Sequence, residues 1–262
     1  MSFYVPLGGG RFVATQWTRG PWDPGHQHAG PPSALLAGEL AGAGSPGMVF
    51  ARLTCEILGA IPVGEVEVRV ELERPGRSVE LVAGELRADG RAVVRARAWR
   101  VLPAPVDIGL EPPSLPLPRV AAPPPPSFGE FGYASAVEWR WARGGWEEPG
   151  PAVVWTRLRE PIVEGVEPLP LQRVLAVADS GNGVSSVLDW GSHLFINPEL
   201  SLHVLREPHG EWVCLDARTE IAAGGAGLAT SVLSDREGPV ARGAQSLLIT
   251  RRPPARRGAV SA

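Results

Sequence analysis

Asp179 breaks the pattern of the segment that carries it. In LQRVLAVADSGNGVSS and the two residues beyond, Leu171, Val174, Leu175, Ala178, Val184, Val187 and Leu188 recur at the three- and four-residue spacing of a helix with one buried face. Asp179 falls four residues after Leu175, beside that stripe. The bland explanation is a surface position displaced by one residue of phase. The chemical explanation is a carboxylate at the edge of an apolar face. Burying it ionised costs several kcal/mol unless polar groups meet it, so it must find partners or hold its proton. Either condition suits a general base that takes a proton from water.

A second constellation lies in HQHAGPPSALL, His26 to Leu36. Gly30 allows close backbone approach to a ligand, and the first turn of the helix that follows presents N–H groups to an anionic oxygen. Pro31 and Pro32 have no N–H, which leaves Gly30, Ser33 and Ala34 as donors. His28 can hydrogen-bond a ligand, and a ring fixed by loop contacts is the plain alternative. His26 and His28 lack the further ligands a metal pair needs. In ERPGRS, Glu73 to Ser78, the simplest reading is a strand-turn-strand corner with Gly76 at the turn; Arg74 or Arg77 could instead meet phosphate as a bidentate donor. Cys55 and Cys214 sit in apolar alternating segments without metal-ligand spacing, as buried free thiols do. No G-x-S-x-G elbow for a serine nucleophile is present.

The elements that must position these residues come in two similar sets. The first has a short apolar helix, Gly30 to Gly44, opened by Pro and closed by Gly, then the alternating strands ARLTCEIL, GEVEVRVELERPG, SVELVAGELRADG and RAVVRARAWRV. The second has the helix LQRVLAVADSGNGVSSVL, then FINPELSLHVL, GEWVCLDARTEIAAGG, AGLATSVLSDREG and PVARGAQSLLITRR. An ungapped alignment starting from Gly64 and Gly210 places Asp89 on Asp235, both as turn residues, and Trp99 on Gln245. Between Leu102 and Ser127 the chain is Pro-rich, so neither helix nor sheet interior persists there. The expected organisation is an N-terminal unit over 1–102, a linker over 103–127, a C-terminal unit over 128–254 and a flexible tail over 255–262. One helix followed by a meander of antiparallel strands, occurring twice, predicts two sheets that each wrap a helix and pack side by side.

The totals set bounds. With 262 residues and 44% hydrophobic content, a full core forms without disulfide or metal staples. A net charge of -3 gives no global electrostatic reason to expect nucleic acid or anionic membrane as a partner. The N-terminus lacks a basic region followed by an apolar run, and no segment reaches the ~18 apolar residues of a membrane span. The expected compartment is the cytoplasm.

These motifs together resemble the thioesterase-like superfamily related to bacterial acyl-CoA thioesterase II. The matching stretches are TRGPWDPGHQHAGPPSALLA, RLTCEILGAIPVGEVEV with ERPGRSVELVAGEL, AVADSGNGVS, FINPELSLHVLREPHGEWVCLDART and AQSLLI. The resemblance implies an α+β double hotdog, two tandem units each with a long antiparallel sheet around a central helix. It implies an acyl-CoA thioesterase that hydrolyses a fatty acyl-CoA or related thioester with no cofactor. In that family an Asp from the second helix, a Ser or Thr from the next strand and a Gln from the last strand hold and activate a water. By order and spacing these fall on Asp179, Asn197 and Gln245, with Asn197 carrying an amide where a hydroxyl is usual.

On this reading Asp179 is the base, Asn197 and Gln245 position the water, and oxyanion donors come from the Gly30 and Ser33 turn with His28. Arg74 and Arg77 are the candidates for coenzyme A phosphates, and Gly181 and Gly183 leave room for the ligand. Trp139, Trp141 and Trp146 are expected to be core. The exposed edges and helix faces of hotdog sheets make a homo-oligomer a candidate assembly. Two rival readings follow. A non-catalytic acyl-binding hotdog would use Asp179 structurally; Trp99 opposite Gln245 argues for one live site per chain rather than none. A hotdog enoyl-CoA hydratase has a D-x-N-P-aliphatic-H signature, but in FINPELSLH Phe195 stands in place of the Asp and His203 comes too late.

Overall fold

The computed structural model describes residues 1–104 and 131–252. Apart from residues 103 and 104, the segment expected as a linker over 103–127 lies outside the described residues, as does the tail over 255–262. The first half contains β1 (Tyr4–Gly8), β2 (Arg11–Ala14), α1 (Gly30–Ala43), β3 (Val49–Ile57), β4 (Glu65–Arg74), β5 (Val79–Ala88) and β6 (Arg91–Val101). The second contains α2 (Gly132–Ala136), β7 (Val137–Gly145), β8 (Glu148–Leu158), α3 (Pro170–Ala178), α4 (Gly181–Val184), β9 (His193–Ile196), β10 (Glu199–Val204), β11 (Val213–Ile221), β12 (Ala226–Asp235) and β13 (Gly238–Arg251).

The strands join in one antiparallel sheet in the order β1-β2-β4-β5-β6-β3-β10-β13-β12-β11-β8-β7, with β9 beside β13. The order reads alike from both ends: β3 corresponds to β10, β6 to β13, β5 to β12, β4 to β11, and β1–β2 to β7–β8. The halves meet where β3 pairs with β10, Thr54 opposite Ser201 with their hydroxyls 3.1 Å apart. Each half wraps its helix, and this is the double hotdog α+β fold that the resemblance implied; the two sheets expected from the duplication are joined edge to edge into one. The outer ribbons β1–β2 and β7–β8 were not visible in the alternation.

At the centre α1 packs against α3, and small residues set how closely they cross. A Cβ added at Gly30 would lie 2.1 Å from the Ala176 carbonyl oxygen, and one at Gly38 would lie 2.5 Å from the Gln172 side-chain nitrogen. Gln172 is buried here, donating to the Ala34 carbonyl at 2.9 Å and accepting from the Leu169 N–H at 2.8 Å. With this close crossing, α3 is buried nearly all round rather than on one face. Val187, expected on the buried stripe, is 40% exposed.

Three expectations need correction. The continuous helix over 171–188 breaks: α3 ends at Ala178, Asp179 is its C-cap, and α4 is a single turn. The strand FINPELSLHVL also breaks, because Pro198 has no N–H to give to a ladder; β9 ends before Asn197 and β10 starts after Pro198. Finally, matching the two hairpins at their equivalent bulges shifts the internal alignment by one residue. Leu86 opposite Val94 precedes the first bulge, and Leu233 opposite Ala241 precedes the second, which makes Gln245 the counterpart of Ala98. Trp99 points the other way from Ala98, in keeping with the two-residue period of a strand. By the same shift Asp235 matches Ala88, and it is not a second turn residue. It ends β12, buried, with both carboxylate oxygens on Arg206. Asp89 does occupy a turn, with φ 48.

Replacing Gly30 by Ala forces a methyl group into the Ala176 carbonyl. The expected outcome is a loss of about 1–3 kcal/mol of unfolding free energy, read from urea denaturation.

Candidate active site

Asp179 sits at the break between α3 and α4, 4% exposed. Its carboxylate is compensated by amides. Asn197 Nδ2 donates to Oδ1 at 2.7 Å and Gln245 Nε2 reaches the same oxygen at 3.2 Å. Gln245 Nε2 also donates to the Asp179 carbonyl at 3.0 Å, which occupies a backbone acceptor at the helix end. Its Oε1 in turn accepts from the Asn182 N–H at 3.1 Å. Asn197 spends its other donor on the Glu199 carbonyl at 3.2 Å, so the strand break at Asn197–Pro198 serves to aim this amide.

The second carboxylate oxygen faces His28. Nδ1 of His28 lies 3.3 Å from Asp179 Oδ2 and accepts from the Gly30 N–H at 3.1 Å. The Gly30 bond has hydrogen-bond geometry, whereas the Asp179 contact is close in distance alone, so we assign the ring proton to Nε2. Burial holds the His28 imidazole below its ordinary range and outweighs the opposing effect of the Asp179 charge. The ring lies flat on Tyr133, centroids 3.9 Å apart and planes 7° apart. Tyr133 is itself fixed: its hydroxyl donates to the Ala176 carbonyl at 2.8 Å and lies 2.8 Å from Ser180 Oγ.

A cavity of about 390 Å³ opens beside these groups. Asp179, Asn197, His28 and Asn182 line it together with Trp22 and Trp190.

Residues 18–101 match the acyl-CoA thioesterase N-terminal domain and residues 113–249 match the acyl-CoA thioesterase C-terminal domain. The chain belongs to the acyl-CoA thioesterase family. It is a thioester hydrolase by that membership. Solved structures with the same fold include a protein assigned as a thioesterase from Novosphingobium aromaticivorans, 22% identical with TM-score 0.71, covering 95% of this chain and 98% of that one. The tesB protein of Mycobacterium avium subs paratuberculosis is 18% identical with TM-score 0.67, covering 95% and 96%. The acyl-CoA thioesterase II TesB2 of Mycobacterium marinum is 16% identical with TM-score 0.64, covering 96% and 95%. No curated protein matches the chain in sequence. Among the described residues, no helix of this family member is long and apolar enough to cross a membrane.

Of the expected site residues, the structure brings Asp179, Asn197, Gln245 and His28 together. Asn197 and Gln245 point their amides at the carboxylate itself, and Gln245 lies behind the cavity wall rather than on it. The expected donors at the start of α1 are occupied: the Gly30 N–H by His28, and the Ser33 N–H and hydroxyl by the Ala29 carbonyl at 3.1 and 2.8 Å. A Cβ at Gly30 would meet α3, and one at Gly181 would lie 2.8 Å from Gln245 Oε1. Arg74 and Arg77 do not line the cavity. Arg74 donates to the Val79 carbonyl at 2.8 Å and lies over Trp99.

Trp139 and Trp141 are core, 8% and 7% exposed, while Trp146 lines the cavity. His203 pairs with Arg52 on an exposed part of β10, away from the cavity. Cys55 and Cys214 are buried free thiols, each pushed up to about 12 by burial. Sequence reasoning missed Asn182 and Tyr133. Asn182 had a signal, three residues after Asp179 and so on the same face; Tyr133, directly after the Pro-rich stretch, had none.

Because His28 is held neutral by burial, the unfolded chain takes up a proton below ~6.5 that the folded chain refuses. Its contribution to stability is therefore complete above about pH 6.5 and declines as pH falls further. Urea midpoints measured between about pH 8 and about pH 5 should fall on the acid side, and His28→Gln should flatten that fall.

Proposed function

We propose that this thioesterase hydrolyses acyl-CoA to the free acid and coenzyme A with a water activated by Asp179. The observation that carries the reading is the asymmetry of the carboxylate. Oδ1 is held by two amide donors, and Oδ2 belongs to a residue on the cavity wall with no amide on it.

In the reaction a water in the cavity gives its proton to Asp179 as its oxygen attacks the thioester carbonyl. Asn197, with both Nδ2 hydrogens used, meets that water through its carboxamide oxygen, so the amide in place of the family's hydroxyl accepts rather than donates. Gln245 touches neither water nor substrate and is a positioning residue: it fixes Asp179 by both its side chain and its carbonyl. The Nε2–H of His28 is the group on the wall suited to the oxyanion that forms on the thioester carbonyl. Collapse of that intermediate expels the coenzyme A thiolate, which leaves as thiol once protonated; Asp179 holds the proton taken from water. No covalent acyl-enzyme is needed.

The non-catalytic reading gives Asp179 only a structural role, which does not account for its placement on a cavity wall beside His28. The assay is release of coenzyme A thiol from acyl-CoA, followed with a thiol-reactive dye. Asp179→Asn should lower kcat at least about 100-fold, and Gln245→Ala should lower it less. A variant Asp179→Asn as fast as wild type would falsify the mechanism, and ligand binding without turnover in wild type would favour the binding protein.

A further inference from the structure

The cavity wall next to Asp179 is built from aromatic rings, each immobilised by another ring. Trp190 stacks on Trp22 with centroids 5.1 Å apart and takes Phe195 edge-on at 4.5 Å. Its six-membered ring is also close to Gly183, where an added Cβ would lie 3.5 Å away. Trp146 is met edge-on by the buried Trp139 and Trp141 at 5.0 and 5.2 Å. Tyr133 is locked between His28 and its two hydroxyl partners. Trp22, Tyr133, Trp146 and Trp190 all line the same cavity as the carboxylate. The lining also has aliphatic side chains, of which Leu58 and Leu248 are 51% and 58% exposed at the rim and Ile61 is buried.

A flexible alkyl chain gains from such a wall only the area it buries, and it loses its own rotamer freedom on entering. A planar aryl group gains the area and, in addition, edge-to-face or offset contacts with each ring it meets at about 4.5–7 Å. Because the rings are already held, those contacts cost little further ordering. Size fits as well. A cavity of ~150 Å³ takes up benzene, and the ~390 Å³ here would hold a phenyl ring with room left for the thioester and the start of the pantetheine arm.

We propose that the acyl group this enzyme prefers is aryl or arylalkyl, of the benzoyl or phenylacetyl class, bound among Tyr133, Trp146 and Trp190 with the thioester at Asp179. This rests on the hydrolase reading and adds its substrate class. Trp146 and Trp190 are then specificity-determining residues.

The test is kcat/KM for benzoyl-CoA and phenylacetyl-CoA against hexanoyl-CoA and octanoyl-CoA. Aryl substrates are expected to exceed the alkyl ones by about tenfold or more, the equivalent of one or two ring contacts. Trp146→Leu should reduce the aryl-to-alkyl ratio about fivefold or more while Trp146→Phe keeps most of it, with Trp190→Leu as the parallel variant should Trp146→Leu fail to fold. Alkyl substrates turning over as well as or better than aryl ones in wild type would overturn this inference and leave the hydrolase standing, as would a ratio unmoved by both leucine variants. No turnover of any substrate would overturn the hydrolase and this inference with it.

Discussion

The site depends on the cost of keeping a carboxylate inside protein. Asp179 is nearly inaccessible to solvent, and an isolated carboxylate in such a place would cost several kcal/mol. The fold meets that cost with neutral amides rather than with an arginine, which would have made a tight ion pair and a poor base. Two amide donors converge on one oxygen, and a neutral imidazole sits beside the other. The compensation is therefore lopsided: Oδ1 has two amide donors and Oδ2 has none.

Each of those partners comes from a different part of the chain, and each required a local departure from regular structure. The helix stops at Asp179 so that Gln245 can take its carbonyl as well as its side chain. Gly181 follows because a side chain there would strike Gln245. Pro198 interrupts the strand at the place where Asn197 must turn its amide inward. Gly30 brings α1 against α3, which in turn places His28 at the carboxylate. The departures from regular pattern in the second half thus cluster at one point in space.

The pseudo-symmetry explains why there is one such point. At the position in β6 that corresponds to Gln245 stands Ala98, buried and unable to hydrogen-bond through its side chain. The first half keeps the sheet and helix and contributes His28, Trp22 and aliphatic residues such as Ile57 and Ile61 to the cavity. The second half keeps the carboxylate and its amides. Duplication followed by this division of roles gives a cavity at the junction whose two sides differ in chemistry.

Much of the fold was legible in the sequence because alternation and helical spacing report burial directly: the four strands after each helix, the duplication and the span of α1 were all readable. So was Asp179, because a charge beside an apolar stripe is visible in one dimension. The sequence could not disclose that Gln245 matches Ala98, since Gly64 and Gly210 offer an anchor in one dimension and only the strand registers show that the halves match one residue away from it. It could not tell a glycine that admits a ligand from one that admits a neighbouring helix, because both need only a missing side chain. Nor could it show Tyr133 lying on His28 or Trp146 and Trp190 facing the same cavity, for those contacts join positions far apart in the chain whose own neighbours give no sign of them. Which residues could do chemistry was settled by residue type and local spacing; which of them meet, and around what space, was decided by how two helices cross under one continuous sheet.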